Sequence, residues 1–234
     1  MKKFNVLLLL LISLLMFSCS EDDNNGRIQL TVNASKSAAK KSLYKKETNS
    51  NVVFTDFQIS IRDVVFKNDD DINSNLDTDE IQFRGPYQID LLNSTDVLSE
   101  TIGDAFVPNG TYKELRFKFH KDKSLSNTHK LYDKSIYIEG TINGIPFVFW
   151  HDTSENLDLG RNTGVKVENG KVNFTVQFNI NQFLNSLHTI DLTTAKDGNS
   201  DGIIEINPND NDGNKEIAKL LKENIKKTAK ILNN

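Results

Sequence analysis

The chain has 234 residues, with 28 Lys and Arg against 32 Asp and Glu, a formal charge of −4 at pH 7. That balance disfavours nucleic acid as a partner, since nucleic acid wants a basic face. The single cysteine excludes an internal disulfide, and serine-nucleophile elbows, P-loops and dinucleotide fingerprints are absent.

Lys2 and Lys3 precede an apolar run from Phe4 to Phe17, broken only by Asn5 and Ser13. At about 14 residues the run falls short of the roughly 20 that span a bilayer core, so residues 1–18 read as a secretory signal peptide. Its removal takes away Lys2 and Lys3 and leaves a charge of −6 on the remaining 216 residues. Leu14-Leu15-Met16-Phe17-Ser18-Cys19 resembles a bacterial lipobox, although Phe17 is bulkier than the usual pattern. The resemblance implies that Cys19 becomes the first residue and carries acyl chains. Two or more chains anchor stably where one is marginal, at about 0.8 kcal/mol per buried CH₂. Ser20-Glu21-Asp22-Asp23 resembles the export signal of Bacteroidota surface lipoproteins, which implies an outer-membrane lipoprotein facing the cell surface. Residues 19–26 are then the lipidated cysteine and an acidic tether.

From Gly26 the hydrophobic pattern has period two, the mark of half-buried strands. Ile28, Leu30 and Val32 alternate with polar residues. Residues 35–51 are a Lys/Ser-rich insertion with Lys36, Lys40, Lys41, Lys45 and Lys46, read as a solvated loop or as a contact for anionic lipid or polysaccharide. In VVFTDFQISIRDVVFK, Phe57, Ile59 and Ile61 share a face with Val65. Val64 and Phe66 lie on the other parity, which predicts two covered faces or a bulge. NDDDINSNLDTDE is an acidic loop with Asp69, Asp70, Asp71, Asp77, Asp79 and Glu80, and Arg84-Gly85-Pro86 divides two short strands. Pro108-Asn109-Gly110 predicts a tight turn into a strand led by Tyr112, with Leu115, Phe117 and Phe119 on one face. Asn143-Gly144 and Asn169-Gly170 each predict a β-hairpin. Ile217, Leu220, Leu221, Ile225, Ala229 and Leu232 recur at helical spacing near the C-terminus, for packing on the sandwich or for a partner. These elements predict a mainly β chain: an antiparallel β-sandwich over residues 27–206, then an Asx-rich loop and an amphipathic C-terminal helix over 207–234.

FTDFQISIRDVVF and VPNGTYKELRFKF resemble the early strand and the Pro-x-Gly-x-Tyr turn of an uncharacterised lipoprotein family carrying a domain of unknown function. The resemblance extends loosely over residues 26–206 and implies an Ig-like or transthyretin-like sandwich. It brings no catalytic residues. A second similarity, to copper-binding periplasmic lipoproteins, rests on Trp150-His151 after a core strand, without methionine-rich or paired-histidine spacing.

One stretch has the spacing of a metal loop. Asp197, Asn199, Asp201 and Gly202 fit the first half of D-x-[DN]-x-[DN]-G, Ile203 offers a backbone carbonyl, and Ile204 is the loop hydrophobe. Calcium wants six to eight oxygens. The usual bidentate Glu at position twelve is Pro208, so Glu205, Asp210 or Asp212 would have to substitute. The competing reading is a polar turn, with Asp212 or Asn214 capping the helix. Trp150 and His151 are candidates for a ligand-binding rim, an aromatic with polar neighbours suiting a sugar ring, or else Trp150 is core. The expectation is therefore a non-enzymatic envelope module, tethered to membrane, that binds glycan or a partner protein. The alternative is a metal-binding or hydrolytic protein using His120, His151 and loop carboxylates.

Overall fold

A computed structural model describes residues 25–35, 51–68, 82–94 and 96–232. Cys19, Ser20, Glu21, Asp22 and Asp23 lie outside the described residues, as do the signal run, the insertion over 36–50 and the acidic loop over 69–81. The chain order is β1 (Asn25–Ser35), β2 (Val52–Asn68), β3 (Tyr87–Asn93), β4 (Asp96–Val97), β5 (Ser99–Pro108), β6 (Gly110–Phe119), β7 (Ile136–Ile142), β8 (Ile145–His151), β9 (Asn156–Val167), β10 (Lys171–Asn179), β11 (Ile204–Ile206), α1 (Lys215–Thr228) and β12 (Ala229–Ile231). Strand residues outweigh helical ones by 56% to 11%, and two sheets pack as a sandwich with a single C-terminal helix.

The small sheet runs β12-β10-β1-β5, and the large one β11-β8-β7-β2-β3-β4, with β6 on β2 and β9 on β6. Two pairings depart from the all-antiparallel expectation: β1 with β10, and β11 with β8, are parallel. The inner faces follow the alternation in the sequence. Leu30, Val32 and Ala34 of β1 stand beside Phe174, Val176 and Phe178 of β10, and all are buried. Phe183, from a 3₁₀ turn over Ile180–Gln182 and its C-cap, sets its ring about 6.0 Å from those of Phe54 and Phe57 and 5.9 Å from that of Phe149. Each such fully buried ring contributes about 1.5–3 kcal/mol of transfer free energy.

β2 contains a bulge, one of the two outcomes its mixed parity allowed. Its register with β6 shifts between Arg62 and Val65, and Asp63 takes a φ of 50°. The bulge adds a residue, so the core-facing parity changes from Phe57, Ile59 and Ile61 to Val64 and Phe66. Val65 is buried but stands outside the central cluster.

The two Asn-Gly turns differ. Asn143 and Gly144 have φ of 54° and 82° and close the β7–β8 hairpin with Ile142 opposite Ile145. Asn169-Gly170 closes no hairpin: β9 pairs with β6 in the large sheet, while β10 joins β1 and β12 in the small one. It is a corner between sheets. Pro108-Asn109-Gly110 is a second corner, from β5 to β6, with neither Asn109 nor Gly110 at positive φ. The two corners are bonded. Asn109 Nδ2 donates to Asn169 Oδ1 at 2.6 Å, and Asn169 N donates to Asn109 Oδ1 at 2.9 Å.

Both termini extend further into the sandwich than the sequence pattern predicts. β1 begins at Asn25, inside the expected tether, and Arg27 N donates to Gly170 O at 2.9 Å. α1 ends at Thr228, so Ala229 and Leu232 leave the helical stripe. Ala229–Ile231 pairs with β10 as β12, and Leu232 N donates to Thr175 O at 2.9 Å. Ala218, Leu221 and Ile225 of α1 are buried in the core, with Ile217 and Leu220 packed against it.

Candidate functional site

Trp150 lies on the outer face of the large sheet. Phe147 and Phe149 are buried in the core, and alternation turns Val148 and Trp150 the other way. Register places Tyr137 beside Trp150, and Asp56 and Glu139 in line with Val148. The segment after β6 supplies two lysines to this face. Lys130 Nζ donates to Asp56 Oδ2 at 2.6 Å and to Glu139 Oε2 at 2.7 Å, and Lys134 Nζ stands 5.5 Å from the centroid of the Trp150 ring and 5.8 Å from that of Tyr137. Buried Leu131 holds the segment down, and buried Asp122 shapes it by accepting from Ser124 N, Ser124 Oγ and Gln88 Nε2. Trp150 is thus neither core nor a bare rim; a cation covers its ring.

The charges here are mutually satisfied. Burial pushes the Glu139 carboxyl up, but hydrogen bonds from Lys130 and Tyr137 together hold it below the usual range. Burial is the largest influence on Lys130 and lowers it, yet Asp56 and Glu139 carry it above its ordinary value. Burial pushes Lys134 down, against Asp133, and burial, then the bond to Glu139, pushes the Tyr137 hydroxyl up. A carboxylate held ionised between a lysine and a phenol positions a cation; it is not tuned to donate a proton near neutral pH. Toward the Asn143-Gly144 tip the face is apolar and open. Val53, Thr141 and Pro146 stand in one row, and Ile203 continues it because Ile204 pairs with Phe147. Val53 is 51% and Ile203 41% exposed.

His151 shares the parity of Phe149 and lies mostly buried. Its Nδ1 has no hydrogen-bond partner, with Asp152 Oδ1 at 3.6 Å. Burial pushes the imidazole below its ordinary value; Asp152 opposes this and Lys222 of α1 adds to it. His120 is also lowered, by burial and Arg62, against Asp122 and Asp63. The two histidines are separated by β2 and β7: His120 N donates to Ser60 O, Ser60 N to Ser135 O, and Ser135 N to His151 O. His129 Nδ1 accepts from Leu131 N, and His188 Nε2 pairs with Glu223 Oε2 at 2.7 Å.

The Asx-rich loop curls as its spacing predicts. Asp197 Oδ1 accepts from Asp201 N at 3.1 Å and its Oδ2 from Gly202 N at 2.9 Å, while Asn199 Oδ1 accepts from Asp201 N at 2.9 Å. Asp201 Oδ1 accepts from Ile203 N, and its Oδ2 from Asn199 Nδ2. Glu205, on β11, accepts from Asn211 Nδ2. Buried Asp212 ties the two ends of the curl, accepting from Asn199 N at 3.1 Å and Glu205 N at 2.7 Å. Asn214 is the N-cap residue of the helix, as one of the two expectations had it, and its carbonyl accepts from Ala218 N, but its side chain makes no capping bond. Asp210 Oδ1 accepts from Lys215 N, while the Asn214 side chain bridges Lys196 to the carbonyl of Glu205. Among the described residues, no group of three or more His, Cys, Asp or Glu side chains is disposed to hold a metal ion.

Residues 49–209 match the family model described as Domain of unknown function (DUF4382). The chain belongs to the DUF4382 family. The DUF4382 match begins just before β2 and ends just after β11, so it leaves out β1, α1 and β12, although β1 lies at the centre of the small sheet. Comparison with curated proteins and with solved structures gives no match.

Sequence reasoning missed Lys130, Lys134, Asp122 and Asn224. Asn224 had a visible signal, an amide on the buried face of an otherwise apolar helical stripe. It is fully buried. Its Nδ2 donates to Phe183 O and His188 O, and its Oδ1 accepts from Leu187 N and His188 N.

Proposed function

We propose that this DUF4382 protein is a non-enzymatic binding module of the bacterial cell envelope, lipidated at Cys19 and held at the outer face of the outer membrane. It engages a partner protein or a glycan through the outer face of the large sheet. The observation that carries the reading is the strip formed by Val53, Thr141, Pro146 and Ile203, continuous along β8 with Val148 and Trp150 and flanked by Asp56, Glu139 and Lys130. An open apolar strip with a polar rim is the composition of a recognition surface. The lysine over Trp150 favours a protein partner over a sugar stacked on the indole. The rival metal or hydrolytic reading has less support, since β2 and β7 lie between His120 and His151 and Lys130 and Tyr137 both bond Glu139.

Calcium at the 197–205 loop is part of this proposal, as a structural ion whose binding would have to draw Asp197, Asp201 and Glu205 closer together than they stand here. Each carboxylate oxygen offers two acceptor positions, so the backbone bonds of Asp197 and Asp201 leave acceptor capacity beside the Asn199 amide, the Ile203 carbonyl and Glu205. Asp210 is already engaged with α1.

The test is twofold. Changing Glu21, Asp22 and Asp23 to Ala retains membrane association and lowers cleavage by protease added to intact cells; unchanged cleavage overturns surface display. The residue 19–234 domain, used as bait on a glycan array and on solubilised envelope, retains a ligand that Ile203→Asp releases. A ligand held equally well by Ile203→Asp overturns the assignment of this face.

A further inference from the structure

A second surface lies at the opposite end of the molecule, where β1 begins. Asn25 stands opposite Pro108, and Arg27 stands between Phe106 of β5 and Lys171 of β10. The neighbours of Phe106 along its strand, Ala105 and Val107, face the core, so its ring points outward. At 75% it is the most exposed large hydrophobic side chain among the described residues. Two cations frame it. The Arg27 guanidinium lies 5.5 Å from the ring centroid, and Arg27 and Lys171 share Asp104 at 2.8 and 3.4 Å. Two cations thus stand on one carboxylate beside the exposed ring.

We infer that this end is the membrane-facing end and that Phe106, with Arg27 and Lys171, seats in the lipid headgroup layer. The inference rests on the lipid-anchor reading of Cys19. Six peptide steps separate Cys19 from Asn25 and reach about 20 Å at full extension, at about 3.3–3.6 Å per residue. Arg27 and Phe106 are two positions further on, so the anchor keeps this corner within roughly that distance of the bilayer. An exposed phenylalanine gains by burying its apolar ring at the boundary of headgroups and acyl chains, and Arg and Lys bury their stems while their charges meet lipid phosphates. The other end of β2, where Val52 pairs with Ile142 at the Asn143-Gly144 hairpin, is then turned outward together with Ile145 and Ile203.

The chain has one cysteine, so after lipidation an introduced cysteine is the only thiol. Phe106→Cys and Ile145→Cys, made separately in the full chain, are expressed in a lipidating host, labelled with an environment-sensitive fluorophore, and reconstituted into phosphatidylethanolamine/phosphatidylglycerol vesicles with and without brominated acyl chains. Phe106 stands outside the core cluster, so its replacement keeps the fold, and circular dichroism verifies this. The expected result is several-fold stronger quenching by brominated lipid at position 106 than at 145. Equal, weak quenching at both positions in protein that floats with vesicles overturns the inference and leaves the anchor reading standing. Pairwise cross-linking at 106 without lipid quenching overturns it in favour of a second copy of the chain. Failure to float overturns the anchor reading itself, and the inference with it.

Discussion

The Tyr112 hydroxyl donates a 2.8 Å hydrogen bond to the carbonyl of Pro108, four residues upstream, across the corner that carries the chain from the small sheet to the large one. Tyr112 is buried while Pro108 is exposed, so the bond is partly shielded from water. The same device, a tyrosine corner, stabilises strand crossings in Ig-type sandwiches. It explains why the Pro-x-Gly-x-Tyr spacing is needed. Proline fixes φ at the end of β5, and the tyrosine two places into β6 reaches back to lock the bend. Tyr112→Phe is expected to lower stability by about 0.5–1.5 kcal/mol, read as a lower urea midpoint at unchanged slope. An unchanged midpoint makes the bond incidental.

This corner also shows where local sequence stops being informative. The strands of the inner faces were legible because Ile28, Leu30, Val32 and Phe174, Val176, Phe178 keep a period of two, and the β7–β8 hairpin because Asn143-Gly144 matches its type I′ turn. Asn169-Gly170 carries the same dipeptide but serves a corner, because β10 is claimed by β1, more than a hundred residues earlier in the chain. Ala229 fits the helical stripe, yet the open edge of β10 takes it as strand. The lysines over Tyr137 and Trp150 were invisible for the same reason: Lys130 and Lys134 sit on the loop between β6 and β7 and are placed by its packing on the sheet, not by their neighbours in sequence.

Asn224 joins α1 to the loop over Phe183–His188 through four hydrogen bonds of 2.8 to 3.1 Å. Asn224→Leu keeps the branched outline of the side chain but not its hydrogen bonds, and leaves buried backbone groups unpaired, at about 1–3 kcal/mol for each group not rehydrated. The expected outcome is a large fall in melting temperature and faster amide exchange at Leu187 and His188. An exchange pattern identical to wild type contradicts this role.

His120 and His151 are both held below their ordinary value, chiefly by burial. The unfolded chain therefore binds more protons than the native one between the lowered values and about 6.5. Their contribution to stability is complete above about pH 6.5 and is lost as pH falls below it. Urea midpoints should drop from pH 7.5 to pH 5.5, and His151→Gln should reduce the drop. Stability that is flat or rising over that interval rejects the assignment.

If calcium occupies the 197–205 loop, it stabilises the folded chain by RT ln(1 + [L]/Kd), about 2.7 kcal/mol at a hundred times Kd. The melting temperature should rise with millimolar calcium and fall with chelator, and Asp201→Ala should remove the dependence while the sandwich stays folded. No shift at millimolar calcium reduces the loop to a brace tied together by Asp212.

The central claim is the lipid anchor at Cys19, since both the proposed function and the orientation of the sandwich depend on it. The most direct measurement is metabolic labelling with an alkyne palmitate, followed by membrane fractionation, of wild type and Cys19→Ser. The account predicts label and membrane partition for the wild type, and neither for Cys19→Ser. Equal labelling and equal membrane partition of the two proteins would contradict it.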